Sequence, residues 1–536
     1  MGACGLAYEY TLSKIASDLL GNSIRQWALI IGFMMFFMGI GADVQKYIKN
    51  QNLFEKFLIA EAILGIIGSF SPLLLIYSFG LWNSHYILIQ YIIISAIGLL
   101  IGFEIPLLIR VNEIYTKELK LNIGNILKMD YIGSLIGAIL WVFYLPQWFH
   151  FSRISFIVGL LNIVSALGAF YFLKHIVVNK KTLLSILSIF LLFILSGLIY
   201  SEKWMIHGEQ YLYRDKVIYS ETTPYQHIIL TSNNHSISCY INGCLQFNSL
   251  DEHIYHELLV HPVMSLAECK ENILVLGGGD GLAVRELLKY PSIKQIDLCD
   301  IDPNMTSIAL NNPHINELNQ KSLNSAKLKI INNNSLIPTN KEEIFLPNEY
   351  SPSGKEYSSV AEINLIHMDA SIFIEQIRNQ YDVIIIDFPD PNTPELSKLY
   401  SKKFYTHLRY RLKPKGLFCQ QSSSPFDSKE AFLCIGRTIQ ETGYAVVPIH
   451  DNIPSFGEWG FWIAGKQESY SNISLKEKLK NISLLSVETK YLTPELIKSS
   501  TVFGKSWLIT KNTDINTIFN HKVFHYYIEG WKKIYE

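Results

Sequence analysis

The sequence has no surplus of charge: 46 Lys and Arg against 47 Asp and Glu leave a net charge of −1. A chain so balanced has no basic footprint for nucleic acid, so none is expected as a partner. Cysteine is sparse and scattered. The seven (Cys4, Cys239, Cys244, Cys269, Cys299, Cys419 and Cys434) are odd in number and include no C-x-x-C pair. That pattern speaks against a disulfide framework and for reduced thiols in a cytosolic domain. No His/Cys group has zinc spacing, so no metal site is expected. Nor is there a basic n-region followed by an apolar stretch and a small-residue cleavage site, so the apolar segments are expected to be permanent.

What the chain does have is length and lopsided hydrophobicity. Its 536 residues exceed what one core accommodates, which implies two or more domains. Long apolar runs fill 27–42, 62–86, 86–103, 131–151, 154–173 and 183–200. Each suits a helix crossing a hydrocarbon core of roughly 30 Å, so six spans are expected. The opening stretch "GLAYEYTLSKIASDLLG" is a weaker seventh, half a span at most, because Glu9, Lys14 and Asp18 are expensive on a lone lipid-facing helix. Glu61, Glu104, Asp43 and Asp130 lie in or beside these runs. They read more readily as inter-helix hydrogen-bonding groups, in a bundle packed on Gly133 and Gly137, than as a path for a cationic solute.

Beyond the spans, "KVIYSETTPYQHIILTSNNHSISCYINGCLQFN" reads as short strands broken by Thr-Pro, Asn-Asn and Asn-Gly turns, a small antiparallel β unit. From Glu271 apolar strands alternate with helices: "NILVLGGGDGLAVRELLKY", "IKQIDLCDID", "YDVIIIDFPDP" and "KGLFCQQSSS". That is the pattern of a Rossmann-like, doubly wound α/β domain. The expected organisation is a helical membrane domain over 1–200, the β unit over 201–265, the α/β domain over 266–466 and an unassigned tail over 467–536. A polar insert over about 311–364 is expected to be a surface loop, since it buries too little to offset its ordering entropy.

The chemistry centres on "LGGGDGLAVREL", which sets Asp280 inside a glycine turn at a strand end, flanked by Gly277 and Gly279. A carboxylate there repels phosphate and suits a cationic ligand such as a sulfonium nucleoside or an amine. Asp300 in "LCDID" stands where an acid accepts ribose hydroxyls, Asp369 in "INLIHMDA" is placed for an adenine amino group, and Asp387 and Asp390 close "IDFPDP". Four or five converging carboxylates are costly unless cations neutralise them, and a diamine would do so. Taken alone, Asp280 could be a turn residue, and Asp387, Asp390 or Asn392 could cap the helix "PELSKLYSKKFYTHL".

"LQFNSLDEHIYHELLVHP", "LGGGDGLAVREL", "LCDID", "IDFPDP" and "GEWGFWIAG" together, in this order, resemble the spermidine synthase (polyamine aminopropyltransferase) family over 211–466. The apolar region in front, with "GACGLAYE", looks like its membrane-bound, multi-span branch. The resemblance implies transfer of an aminopropyl group from decarboxylated S-adenosylmethionine, a co-substrate, to putrescine or a similar amine, with no cofactor. It implies Asp390 as proton acceptor; Tyr255, His256, Asp280 and Asp387 at the amine; and Gln226, Gly277, Gly279, Asp300, Asp369, Ala370 and Pro394 at the nucleoside. Members commonly have Glu where this chain has Asp300, and D-P-I-G-P where it has "DPNTP", so the acceptor could differ.

An S-adenosylmethionine methyltransferase is the competing enzyme, disfavoured because Asp280 would repel the donor's carboxylate; a transporter or polyamine sensor is the competing non-enzyme. Location is expected in the cell membrane with the catalytic domain cytoplasmic. The loop lysines (Lys46, Lys49 and Lys56; Lys117, Lys120 and Lys128; Lys174, Lys180 and Lys181) conflict with that by the positive-inside rule. A homo-oligomer stays open.

Overall fold

The computed structural model describes residues 2–20, 23–113, 118–324, 328–331 and 361–535. They form two compact units, Met1–Asn233 with Tyr240–Cys244, and Asn234–Cys239 with Leu245–Glu536.

The first unit is mainly helical. Six stretches are long and apolar enough to cross a membrane by length and composition: Arg25–Tyr47, Leu53–Leu81, Asn83–Asn112, Leu119–Phe143, Phe151–Ile176 and Lys180–Leu212. The last runs beyond residue 200, where its apolar run ends but its helix does not. The opening segment is a 19-residue helix, Gly2–Leu20, and is not among the six stretches apolar enough to cross a membrane. Tyr8, Leu12, Ile15 and Ala16 bury one face of it, while Lys14 and Asp18 pair with each other at 2.5 Å. Polar residues are therefore tolerated because this helix packs against others. A Cβ at Gly137 would lie 2.7 Å from the Ala3 Cα, so this glycine permits close approach of two helices.

Strands β1 (Lys216–Thr222), β2 (His227–Ser232), β3 (Ile237–Ile241) and β4 (Cys244–Asn248) follow, forming a sheet in that order. The boundary between the two units falls within this sheet.

The second unit is built on eight strands: β5 (Asn272–Gly277), β6 (Gln295–Asp300), β7 (Leu328–Ile331), β8 (Glu362–His367), β9 (Tyr381–Asp387), β10 (Leu412–Gln421), β11 (Tyr444–Ile453) and β12 (Gly457–Lys466). Their order is β11-β12-β10-β9-β5-β6-β8-β7. The six from β10 to β7 run parallel, and β12 and β11 close the sheet antiparallel. The central strands are apolar at nearly every position, as burial on both faces requires. From β5 the order proceeds one way to β6 and the other way to β9. The switch point, where such sheets bind ligands, lies between β5 and β9.

Two expectations change here. The stretch 311–364 is not all loop: it contains a helix, Pro313–Leu318, the outer strand β7 and the first half of β8. "LKII" is short and set among polar residues, but pairing with β8 gives it a place. Residues 325–327 and 332–360 of that stretch lie outside the described residues. The tail also carries helices, Asn472–Lys480, Pro494–Ser500 and Lys522–Tyr535, and Val523 belongs to the core of the second unit.

Candidate active site

Gly277, Asp300, His367, Asp387 and Gln421 are the last residues of the adjacent parallel strands β5, β6, β8, β9 and β10. The sequence therefore delivers polar groups side by side along one edge of the sheet. Gly277 and Asp387 are register partners across the switch point. Gly277 takes φ +79°, and a Cβ there would come within 2.1 Å of the Asp387 carbonyl oxygen, so no side chain fits. Gly279 is equally constrained by Asp300, whose Oδ2 would lie 2.6 Å from a Cβ.

Asp300 is gripped from both sides. Its Oδ2 accepts from the Gly279 N–H and its Oδ1 from the Asp302 N–H, each at 2.9 Å. Burial raises its pKa to about 6 against these bonds. Each oxygen retains a lone pair for a further donor.

Asp280 accepts from the Leu282 N–H at 2.9 Å, a local bond of the kind a turn residue makes. Its electrostatic neighbours are not those of a solvated turn. Burial raises its pKa, and it interacts with His256, Asp300 and Asp387. Asp387 accepts from the Tyr255 hydroxyl at 2.5 Å, and burial raises its pKa as well. Tyr255 is fixed by its ring, whose centroid is 5.2 Å from that of Phe461.

His256 is buried, with Nδ1 2.9 Å from Glu252 Oε2. Burial works against its imidazolium, but Glu252 outweighs it and lifts the pKa to about 9. His256 is thus cationic at neutral pH. Glu252 is shared with Arg285 in a two-pronged pair, Nη1 to Oε1 at 2.8 Å and Nη2 to Oε2 at 2.9 Å. Arg285 also bonds Glu286 at 2.8 Å, and Glu286 lies 2.9 Å from His261. This buried chain of paired charges orients His256, and sequence reasoning missed it because Glu252 and Arg285 are widely separated.

Asp390 lies just past β9, with Gln421 Nε2 3.3 Å from Oδ1 and Ser423 Oγ 3.3 Å from Oδ2. Burial raises its pKa to about 6, partly offset by bonds from Gln421, Tyr527 and Ser423. Tyr527 belongs to the C-terminal helix, so the tail reaches this carboxylate. Neither Asp387, Asp390 nor Asn392 caps the helix that follows. Thr393 does, accepting from the Leu396 N–H, and Pro394 takes the first helical position, where its missing N–H costs nothing. The expected single helix is broken: Ser401 caps a second one, Lys402–Arg411.

Asp369 ends up engaged otherwise. Its Oδ1 accepts from the Ser371 N–H at 2.8 Å, capping the helix Ala370–Gln376, and its Oδ2 pairs with Lys398 at 2.6 Å. Burial would raise its pKa, but Lys398 and Ser371 hold it low. Ala370 is buried behind it. Gln226 belongs to the first unit, in a turn where Thr223 Oγ1 accepts its N–H at 3.0 Å. Glu458, in "GEWGFWIAG", is bonded by His450.

A doubly wound sheet with acid groups gathered at its switch point offers a cleft suited to a cationic ligand. Known proteins narrow this. A family described as "Spermine/spermidine synthase domain" matches residues 252–339 and 346–477. A polyamine aminopropyltransferase of Oceanobacillus iheyensis is 34% identical over 99% of this chain and 95% of its own length. One from Leptospira interrogans is 33% identical over 100% and 97%. Polyamine aminopropyltransferase 2 of Aquifex aeolicus is 34% identical over 98% and 96%. The chain belongs to the polyamine aminopropyltransferase family.

Proposed function

We propose that the site at the switch point transfers an aminopropyl group from decarboxylated S-adenosylmethionine to putrescine or a similar diamine, releasing methylthioadenosine. The observation that carries this is Asp280, Asp387 and Asp390, three half-buried carboxylates within electrostatic reach of Tyr255 or His256. The amine nitrogen attacks the methylene carbon beside the sulfonium; the new C–N bond forms as the C–S bond breaks, and the electron pair leaves on sulfur. The attacking ammonium must first lose a proton. Asp390, at about 6, is ionised at neutral pH and accepts it.

Asp300 holds the ribose hydroxyls, with Gly277 and Gly279 leaving room for the nucleoside. Asp369, Ala370 and Pro394 line its adenine side. For Asp369 to bond the adenine, Lys398 must share its Oδ2. Asp280 binds the donor's ammonium and repels the carboxylate of undecarboxylated S-adenosylmethionine, which disfavours methyl transfer. Tyr255 and Asp387 take the acceptor. Being cationic, His256 serves the amine indirectly, keeping Asp280 and Asp387 ionised. No cofactor is needed, since the sulfonium supplies the driving force. The helical unit lies in the cell membrane with the second unit in the cytosol, and homo-oligomers are compatible with this reading.

Incubation of the full chain in detergent with decarboxylated S-adenosylmethionine and putrescine should release methylthioadenosine in step with spermidine. Absence of product with putrescine, spermidine and cadaverine alike would refute the reading. A reporter fused at Lys203 would decide the orientation.

A further inference from the structure

We propose that His150, Glu209 and His227 form a binding site for one divalent transition-metal ion of the Zn²⁺ class, separate from the transferase chemistry. All three belong to the first unit. His150 immediately precedes the helix Phe151–Leu173, Glu209 ends the helix Lys180–Glu209, and His227 opens β2. One ligand atom from each lies within 4.8 Å of the others. The closest pair, His227 Nε2 and Glu209 Oε1, is 3.0 Å apart. Ligands about 2.1 Å from a tetrahedral ion stand about 3.4 Å from one another, so small side-chain movements suffice.

The surroundings match what a metal site requires of its outer groups. Each ligand has one atom left towards the others and another atom tied by a hydroxyl. Glu209 Oε2 accepts from Ser220 at 2.5 Å, His227 Nδ1 is 2.7 Å from Thr222 Oγ1, and His150 Nδ1 is 3.3 Å from Ser152 Oγ. Hydroxyls so placed select the tautomer and aim the remaining nitrogen or oxygen inward. Thr222 Oγ1 also lies 3.1 Å from His150 Nε2, a bond that metal binding would displace or share. Two imidazoles and one carboxylate suit Zn²⁺, Co²⁺ or Fe²⁺ and leave a fourth position for water. Glu209 is 2% exposed and His227 17%, so the ion would be largely sheltered. The site would tie two helix ends to the first β-hairpin.

The test is metal titration of the full-length protein in detergent after chelator treatment, with Zn²⁺ content by mass spectrometry and Co²⁺ by its visible absorption. One ion per chain is expected, with Co²⁺ bands of four- or five-coordinate nitrogen and oxygen ligation. Glu209→Gln keeps the shape and can still bond Ser220, and it should weaken binding at least about 100-fold. Ser220→Ala, one shell out, should weaken it about tenfold. No saturable binding, or equal binding by Glu209→Gln and by a His150→Ala/His227→Ala double variant, would overturn the proposal in favour of a hydrogen-bonded network alone. Should the double variant fail to fold, Glu209→Gln decides by itself, and methylthioadenosine release reports separately on the transferase site.

Discussion

Two buried acids in the long apolar helices of the first unit are treated differently from those of the α/β unit. In the α/β unit Glu252, Glu257 and Glu286 are paired at every turn, with Arg285, His256, His261 or, for Glu257, the backbone N–H groups of Lys490, Tyr491 and Leu492. In the helical unit Glu61 and Glu104, 2% and 3% exposed, each carry one oxygen with no hydrogen-bond partner. A carboxylate oxygen left without a donor in an apolar interior is costly. The comparison teaches that incomplete pairing alone does not mark an acid as part of the chemistry; position at the strand ends of the α/β sheet does so in the proposed reading.

The sharpest way to test that division is Asp390→Asn. Losing the proton acceptor should lower kcat on the order of 10²- to 10⁴-fold, with nucleoside binding retained by equilibrium dialysis. Retained turnover would move the base elsewhere. The paired set should respond in stability instead. Arg285→Met strands Glu252 and Glu286 as buried charges, and should cost about 3–5 kcal/mol in denaturant unfolding, or prevent accumulation of folded protein.

Acidity separates the groups again. With Asp390 at about 6, kcat/KM should fall as pH drops below that value, because the protonated acid cannot accept the ammonium proton. The linked effect on stability has the opposite sign. Asp300 and Asp390 have folded pKa values raised from 3.8 to about 6, so between those values the native chain binds more protons than the unfolded one. Their contribution is therefore present at low pH and is lost as pH rises through about 6. Asp390→Asn should remove its share, seen as a flatter melting temperature over that window. The smallest effect belongs to Glu104→Gln. An amide keeps the shape and hydrogen-bonding capacity of this side chain outside the second unit, so methylthioadenosine release should stay within about twofold. A large loss would give Glu104 a part in the reaction or in delivery of the amine.

Much of the site was legible because parallel strands announce themselves as apolar runs and ligands gather at their carboxyl ends. Asp280, Asp300, Asp387 and Asp390 could be placed by that rule alone. Groups arriving from afar could not. Tyr527 reaches Asp390 from a helix in a tail with no motif, and Arg285 meets Glu252 only once a helix has packed beside the glycine turn. Likewise His150, Glu209 and His227 have no local spacing to betray them, since spacing rules read neighbours along the chain and these meet in space. The outer strand β7 was hidden because three apolar residues and a lysine in a polar stretch resemble chance until β8 supplies their partner. Thr393, and not an aspartate, takes the capping role, which leaves Asp387 and Asp390 unspent on local structure.

The contact between Gly277 and the Asp387 carbonyl has a wider consequence. It sets the backbones of β5 and β9 against each other at the switch point with no room for a side chain between them. On the proposed reading, substitutions that retune amine preference are expected at the rim, such as the "DPNTP" turn, and not at this junction.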